Sequence, residues 1–276
     1  MLRPEKQLRI ERFLRAVVQA RKSLLVLDYD GTLAPLRAER NLAFPYPGVA
    51  QLLQEIACSG QTRVVIISGR DTGETISLLG FAPIPEVWGF DGLQRRKPDG
   101  SVETVRIEER YLDALSDATR WLGCQHLWHT AEFKTGSIAI DWRGFNEGGV
   151  EEVRSRVLAG WKPISEHSGL ELLEFDGGLE IRVPGSDKGD AVRLVLSEMA
   201  PDTPAAYLGD DASDERAFRA IRGRGLSILV RTRRRQTAAQ LWLKPPDELV
   251  EFLSQWLETV GGHGVGGGAA AAAVSG

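Results

Sequence analysis
SLLVLDYDGTLAPL, residues 23–36, is the stretch on which the fold turns. Leu24, Leu25, Val26 and Leu27 form an unbroken apolar run, the pattern of a strand buried on both faces of a parallel sheet. Asp28 and Asp30 follow where the run stops. Sheets of this kind bind ligands beyond the carboxyl ends of their strands, so two acids there stand where chemistry is expected rather than inside a core. Gly31 frees the chain to turn, and Thr32 offers a hydroxyl and a main-chain N–H to whatever binds. Asp and Gly are also ordinary turn residues, so D-Y-D-G-T by itself equally describes a strand end closing in an Asx turn. Residues far downstream give the pentapeptide its weight.

At 276 residues the chain can form one large domain or a core with a second module. With 42% hydrophobic and 26% charged residues it has the composition of a soluble globular protein. Thirty-four Lys and Arg against 38 Asp and Glu, a net charge of −4, leave no electrostatic footprint for nucleic acid. No apolar run approaches the about 18 residues of a membrane span, so no membrane partner is expected either. Cys58 and Cys124 lie far apart, which points away from a disulfide framework or a zinc site and towards the cytoplasm.

Either side of the opening stretch, the pattern alternates helices and strands. Ile10, Phe13, Leu14, Val17 and Val18 recur at helical spacing among Arg9, Arg12 and Arg15, predicting a helix that docks on the sheet; Glu5 and Glu11 argue against a targeting peptide. Helices are predicted over 49–57 and 71–79, and strands over 63–67 and 86–88. The strand at 63–67 ends in Ser68-Gly69-Arg70, which is either turn chemistry or a hydroxyl and a guanidinium placed for a phosphate or a sugar. Asp91-Gly92 suits a turn into a polar hairpin through Pro98-Asp99-Gly100.

From 108 to 184 the grain changes: a helix at 108–122, strands at 127–134 and 137–142, a helix at 147–159, and strands at 170–174 and 179–183. This order predicts a small α+β unit with a mostly antiparallel sheet. Alternate residues share a face, so Glu132 pairs in direction with Lys134, and Glu180 with Arg182. They form either a solvated face or a gripping one. The first grain then returns, with a helix at 187–199 carrying Lys188 in its first turn, against the helix dipole. A strand at 205–208 runs into Gly209, Asp210, Asp211, Ala212, Ser213, Asp214 and Glu215. So many carboxylates call for a divalent cation, unless they only mark a helix N-terminus. Strands at 226–230 and 241–243 and a helix at 246–257 close the pattern, Arg231 and Arg233–235 read as a solvated loop, and the glycine- and alanine-rich residues 261–276 as a disordered tail.

In this order, D-x-D-G-T at 28–32, Ser68, Lys188-Gly189 and G-D-D-x-x-D-E at 209–215 resemble the four motifs of the haloacid dehalogenase-like phosphohydrolases. Within them, S-G-R at 68–70, Glu132-x-Lys134 with Arg143, L-E-I-R at 179–182 and Y-L-G-D-D-x-S-D-E-x-x-F at 207–218 are similar to signatures of the trehalose-6-phosphate phosphatase family.

The resemblance implies an α/β fold, a Rossmann-like parallel-sheet core of residues 1–107 and 185–260 with an inserted α+β cap at 108–184. It implies Asp28 as nucleophile, Asp30 as acid and base, and Lys188, Ser68 and Thr32 around the phosphate. It places Mg²⁺ on Asp28, the main-chain carbonyl of Asp30, and Asp210, with Asp211 or Asp214 behind. Glu132, Lys134, Arg143 and Glu180 would hold the sugar, with Arg70 nearby. The expected partner is a small sugar phosphate, met by a monomer. Phe90-Asp91-Gly92, Asp141-Trp142-Arg143 and Gly178 depart from the family's usual N-H-G, H-Y-R and lysine. Phosphatases for sucrose phosphate or mannosylphosphoglycerate, a binding protein without turnover, and a phosphoacceptor signalling domain are the alternatives. The intact motif acids disfavour the binding protein, and the first-strand D-x-D-G-T disfavours the signalling domain.

Overall fold
The computed structural model describes residues 4–37, 39–142, 145–175, 177–185 and 187–261. Its centre is β1 (Ser23–Asp28), fully buried along its length as the apolar run requires. Beside it lie β2 (Thr62–Ile67), β3 (Glu86–Gly89), β4 (Gln94–Arg96) and β5 (Val102–Thr104) on one side. On the other lie β10 (Ala205–Gly209), β11 (Gly225–Val230) and β12 (Leu241–Leu243). Pairing is parallel from β12 to β3, and β4 and β5 add an antiparallel hairpin.

The register decides where the chemistry falls. Asp28 stands opposite Ile67, and Leu27 opposite Leu208. Asp28, Ser68 and Asp210 therefore leave three adjacent strands at one carboxyl edge, where the chain order reverses and α/β sheets open a crevice.

Alternation along β1 sends Leu25 and Leu27 into one core and Leu24 and Val26 into another. The first is covered by α1 (Pro4–Gln19), α2 (Val49–Cys58) and α8 (Asp247–Gly261). Ile10, Leu14 and Val17 of α1 are buried there, as their spacing predicts, and Phe13 meets Trp256 of α8 with ring centroids 5.6 Å apart. The second lies under α6 (Lys188–Ser197) and α7 (Glu215–Ala220). Between β2 and β3, α3 (Thr72–Leu79) is capped by Asp71, whose carboxylate accepts from the Glu74 N–H.

Between β5 and α6 stands a separate sheet of β6 (Ala131–Lys134), β7 (Ser137–Asp141), β9 (Gly178–Arg182) and β8 (Glu171–Phe175), antiparallel throughout. One face packs Ile138, Ile140, Leu179 and Ile181 beneath α4 (Glu109–Cys124) and α5 (Glu147–Ser168). The other carries Glu132, Lys134, Ser137, Glu180 and Arg182, as the alternation predicts.

Two expectations are corrected here. The strand expected from 127 begins only at Ala131, because residues 128–130 coil into a 3₁₀ turn in which Thr130 donates its N–H and its hydroxyl to the Leu127 carbonyl. The helix expected to stop at 159 runs to Ser168 through Gly160 and Pro163. Val153, Val157 and Trp161 keep the buried stripe going, and Gly160 lies against the Trp121 indole where a Cβ would overlap it. Gly261 closes α8; the rest of the expected tail, 262–276, lies outside the described residues. No helix among those described is long and apolar enough to cross a membrane.

Candidate active site
Asp28 ends β1 with 3% of its surface exposed. Lys188 donates to its Oδ1 at 2.7 Å and Thr32 donates its hydroxyl to Oδ2 at 2.9 Å. The ammonium of Lys188 also reaches Asp214 Oδ1 at 3.0 Å. Asp187 sets this lysine: its carboxylate accepts from the Asp190 N–H as the α6 cap, and so starts the helix where Lys188 enters the site.

The acidic loop after β10 is built around Asp214, which is wholly buried. Its Oδ2 accepts from the main-chain N–H of Asp210 at 2.8 Å and of Asp211 at 3.0 Å, and its Oδ1 from the Tyr207 hydroxyl at 2.6 Å. Asp211 turns away to accept from the Ser213 N–H and hydroxyl. Gly31, at φ 85°, has no Cβ where the Asp210 carboxylate lies; any side chain there would collide with it.

Asp28, Asp210 and Asp214 each offer an oxygen, all within 4.8 Å of one another. One ammonium against three carboxylates leaves two negative charges unbalanced in a buried site. Burial pushes Asp28 up, only partly opposed by Lys188. Asp210 rises to about 10, through burial first and then the Asp28, Asp211 and Asp214 carboxylates. Burial pulls Lys188 down, but Asp214 and Asp28 outweigh it and keep the amine charged. No donor among the described residues reaches the Asp210 carboxylate. Hard oxygen donors, excess negative charge and an unpartnered buried carboxylate together fit a divalent cation such as Mg²⁺.

Other expected site residues are distributed as follows. Ser68 is fully buried at the end of β2, its hydroxyl accepting from the Arg70 N–H at 3.2 Å. Arg70, 3% exposed, spends its fork on Asp30, Nε to Oδ2 and Nη2 to Oδ1, both at 2.6 Å. Glu132, Lys134 and Glu180 line a cavity of about 550 Å³ between the two sheets, together with Lys188, Asp211 and Asp91. Burial pulls Lys134 down, but Asp91, Glu180 and Glu132 more than offset it, so its amine stays charged. Exposed Glu132 also meets Arg40 at 3.2 Å. Arg143 lies outside the described residues.

Sequence reasoning missed several supports. Arg231 donates to the Asp210 carbonyl at 3.3 Å, and Arg235 to the Asp211 carbonyl, pairing also with Glu215 at 2.8 Å. Of the arginine run read as a solvated loop, Arg231 and Arg235 thus brace the acidic loop, while Arg233 and Arg234 are exposed. Tyr207 had a signal, lying two residues before Gly209 on an inward-facing strand; Arg216, paired with Asp187 at 2.6 Å, had none.

The fold is that of the haloacid dehalogenase-like phosphohydrolases, and a trehalose-6-phosphate phosphatase of Aspergillus fumigatus superposes with a TM-score of 0.73 at 23% identity, over 91% of this chain and 97% of that one. The trehalose-phosphatase family model matches residues 26–246, and the chain belongs to that family. A trehalose-phosphate phosphatase of Mycobacterium marinum is 31% identical over 256 residues, 85% of this chain and 62% of the relative. An uncharacterized glycosyl hydrolase of Mycobacterium tuberculosis is 28% identical over 88% of this chain but only 19% of its own length. The chain thus spans about a fifth to three fifths of these two curated relatives.

Proposed function
We propose that this protein is a Mg²⁺-dependent phosphatase that hydrolyses trehalose 6-phosphate to trehalose and phosphate. The observation that carries the reading is the buried Asp28 carboxylate, pinned by Lys188 and Thr32 beside Asp210 and Asp214, with Lys188 itself lining the cavity.

Asp28 attacks phosphorus, and the sugar oxygen leaves as an aspartyl phosphate forms. Asp30 gives that oxygen its proton and then takes one from the water that hydrolyses the acyl phosphate. The Arg70 fork holds Asp30 in place for both transfers. Lys188, Ser68 and Thr32 receive the phosphoryl oxygens, so the chain supplies mainly position and positive charge, the two things phosphoryl transfer needs. Asp28, the Asp30 carbonyl and Asp210, with Asp214 behind, would hold Mg²⁺, which would supply positive charge opposite those oxygens. Residues 108–184 act as a cap whose Glu132, Lys134 and Glu180 hold the sugar hydroxyls and exclude water from the ester.

Phosphate release from trehalose 6-phosphate, sucrose 6-phosphate, mannosyl-3-phosphoglycerate, glucose 6-phosphate and nitrophenyl phosphate, with Mg²⁺ and with EDTA, tests this. The expected result is Mg²⁺-dependent preference for trehalose 6-phosphate. Preference for another sugar retains the Asp28 chemistry and overturns the cap assignment; no release from any ester overturns the enzyme reading.

A further inference from the structure
Phe90 and Asp91 follow β3 with φ of 52° and 56°, two successive non-glycine residues in the left-handed region. L-residues pay for that conformation, and runs of it survive where the surroundings enforce it. Here they do: the Phe90 N–H donates to the Arg70 carbonyl at 2.8 Å, and the Asp91 N–H to the Ser68 carbonyl at 2.9 Å. The turn lays the Asp91 carboxylate over Gly69, its oxygens 3.5 and 3.6 Å from where a Cβ would sit.

That carboxylate is half-buried, and no side chain or main-chain N–H among the described residues hydrogen-bonds it. It lines the large cavity with Lys134, Glu180 and Lys188, and also a small enclosed void of about 10 Å³ with Lys134, Ser137 and Arg182, near the minimum for one water. Lys188 is already committed to Asp28 and Asp214. Lys134 has Glu180 only at 4.0 Å.

A carboxylate beside a phosphate pocket repels the very anion the pocket binds. A strained turn that holds it there, with its acceptor sites open, points to hydroxyl donors in the ligand. We propose that Asp91 is a substrate-positioning residue, accepting hydroxyls of the sugar next to the phosphoester and bridging through them to Lys134. The proposal rests on the sugar-phosphatase reading above. It makes Asp91 a discriminator: it disfavours bare phosphate and small esters by repulsion, and favours esters that bring hydroxyls.

Asp91→Asn keeps a residue tolerant of left-handed φ and removes the charge; Asp91→Gly relieves the strain and removes the side chain. In both, the ratio of kcat/KM for the preferred sugar phosphate to that for nitrophenyl phosphate is expected to fall about tenfold or more, while inorganic phosphate binds more tightly by calorimetry. A merely structural role lowers both esters together and leaves the ratio unmoved. Asp91→Gly is also expected to melt about 2 °C above wild type, which separates loss of discrimination from loss of fold. Ratios within twofold of wild type, or weaker phosphate binding, overturn the proposal. The wild-type preference for trehalose 6-phosphate tests the reading beneath it independently. If wild type favours another sugar ester, the ratio is taken with that ester. If it turns over none, phosphate calorimetry, which needs no turnover, still decides for Asp91.

Discussion
Asp210→Asn tests whether the acidic cluster stores free energy that a cation releases. Asp210 is 5% exposed, and burial followed by its carboxylate neighbours lifts it to about 10. The sign follows from that rise: the unfolded chain ionises near 3.8, so nothing is lost below that pH, and stability drains away as pH rises towards the folded value. At pH 7 the gap is about three units, each worth about 1.4 kcal/mol, so a rigid, dry site would lose about 4 kcal/mol. Three carboxylates share the strain and the site relaxes, which reduces the expected loss to about 2 kcal/mol. Asparagine carries no charge to bury. In EDTA at pH 7 the variant should melt about 5 °C above wild type, and near pH 4 the two should coincide. Millimolar Mg²⁺ should raise the wild type and leave the variant unmoved. Thermal melts from pH 4 to 9, with EDTA or MgCl₂, measure all three. A variant melting below wild type in EDTA at pH 7, or one stabilised by Mg²⁺ as much as wild type, refutes the reasoning.

Asp28→Asn is expected to abolish phosphate release while keeping a native melt, since Lys188 retains the amide oxygen to bond and the Thr32 hydroxyl can accept from the new amide N–H; measurable turnover would remove Asp28 as nucleophile. Glu198, bound by Arg95 at 2.7 Å and Arg63 at 2.6 Å, is held down to about 2, through the Arg95 bond first. Its contribution is complete above the ordinary glutamate value of 4.5 and lost as pH falls through the folded one. With its side chain 34% exposed, Glu198→Gln should cost about 1–2 kcal/mol at pH 7 and nothing near pH 2, read by urea denaturation. Gly160→Ala drives a methyl into the Trp121 indole and should cost about 1–3 kcal/mol with a change in tryptophan fluorescence; an unchanged melt would mean α4 and α5 can separate freely.

The core was legible because its signals are local and repeat. A buried parallel strand writes itself as Leu24–Leu27, and ligand-side acids can only follow such runs, so Asp28, Ser68 and Asp210 declared both element and edge together. What stayed hidden depends on partners distant in sequence. Arg70 beside Ser68 gives no sign in the sequence of its pairing with Asp30, 40 residues away. The network of Arg63, Glu86, Arg95 and Glu198 joins β2, β3, β4 and the end of α6, and each member alone looks like a surface charge. Gly160 and Pro163 signal a helix end by propensity, yet the Val153, Val157 and Trp161 stripe outweighs them once α4 offers Trp121 to pack against.

Asp187 shows how the charged face of the inserted sheet and the buried acidic cluster are tied together. It is 2% exposed and has two separate duties. One oxygen caps α6, which fixes the helix start that aims Lys188 at Asp28. The other accepts from Arg182 at 3.0 Å and Arg216 at 2.6 Å. Burial alone would raise this carboxyl, but Arg216, the cap N–H and Arg182 together hold it below its ordinary value, so it stays ionised between them. Arg182 ends a strand of the inserted sheet, and both arginines also reach Glu171 on the neighbouring strand, at 3.0 and 3.3 Å. A shift of that sheet therefore pulls on the same carboxylate that sets Lys188, through four ion pairs among Arg182, Arg216, Asp187 and Glu171.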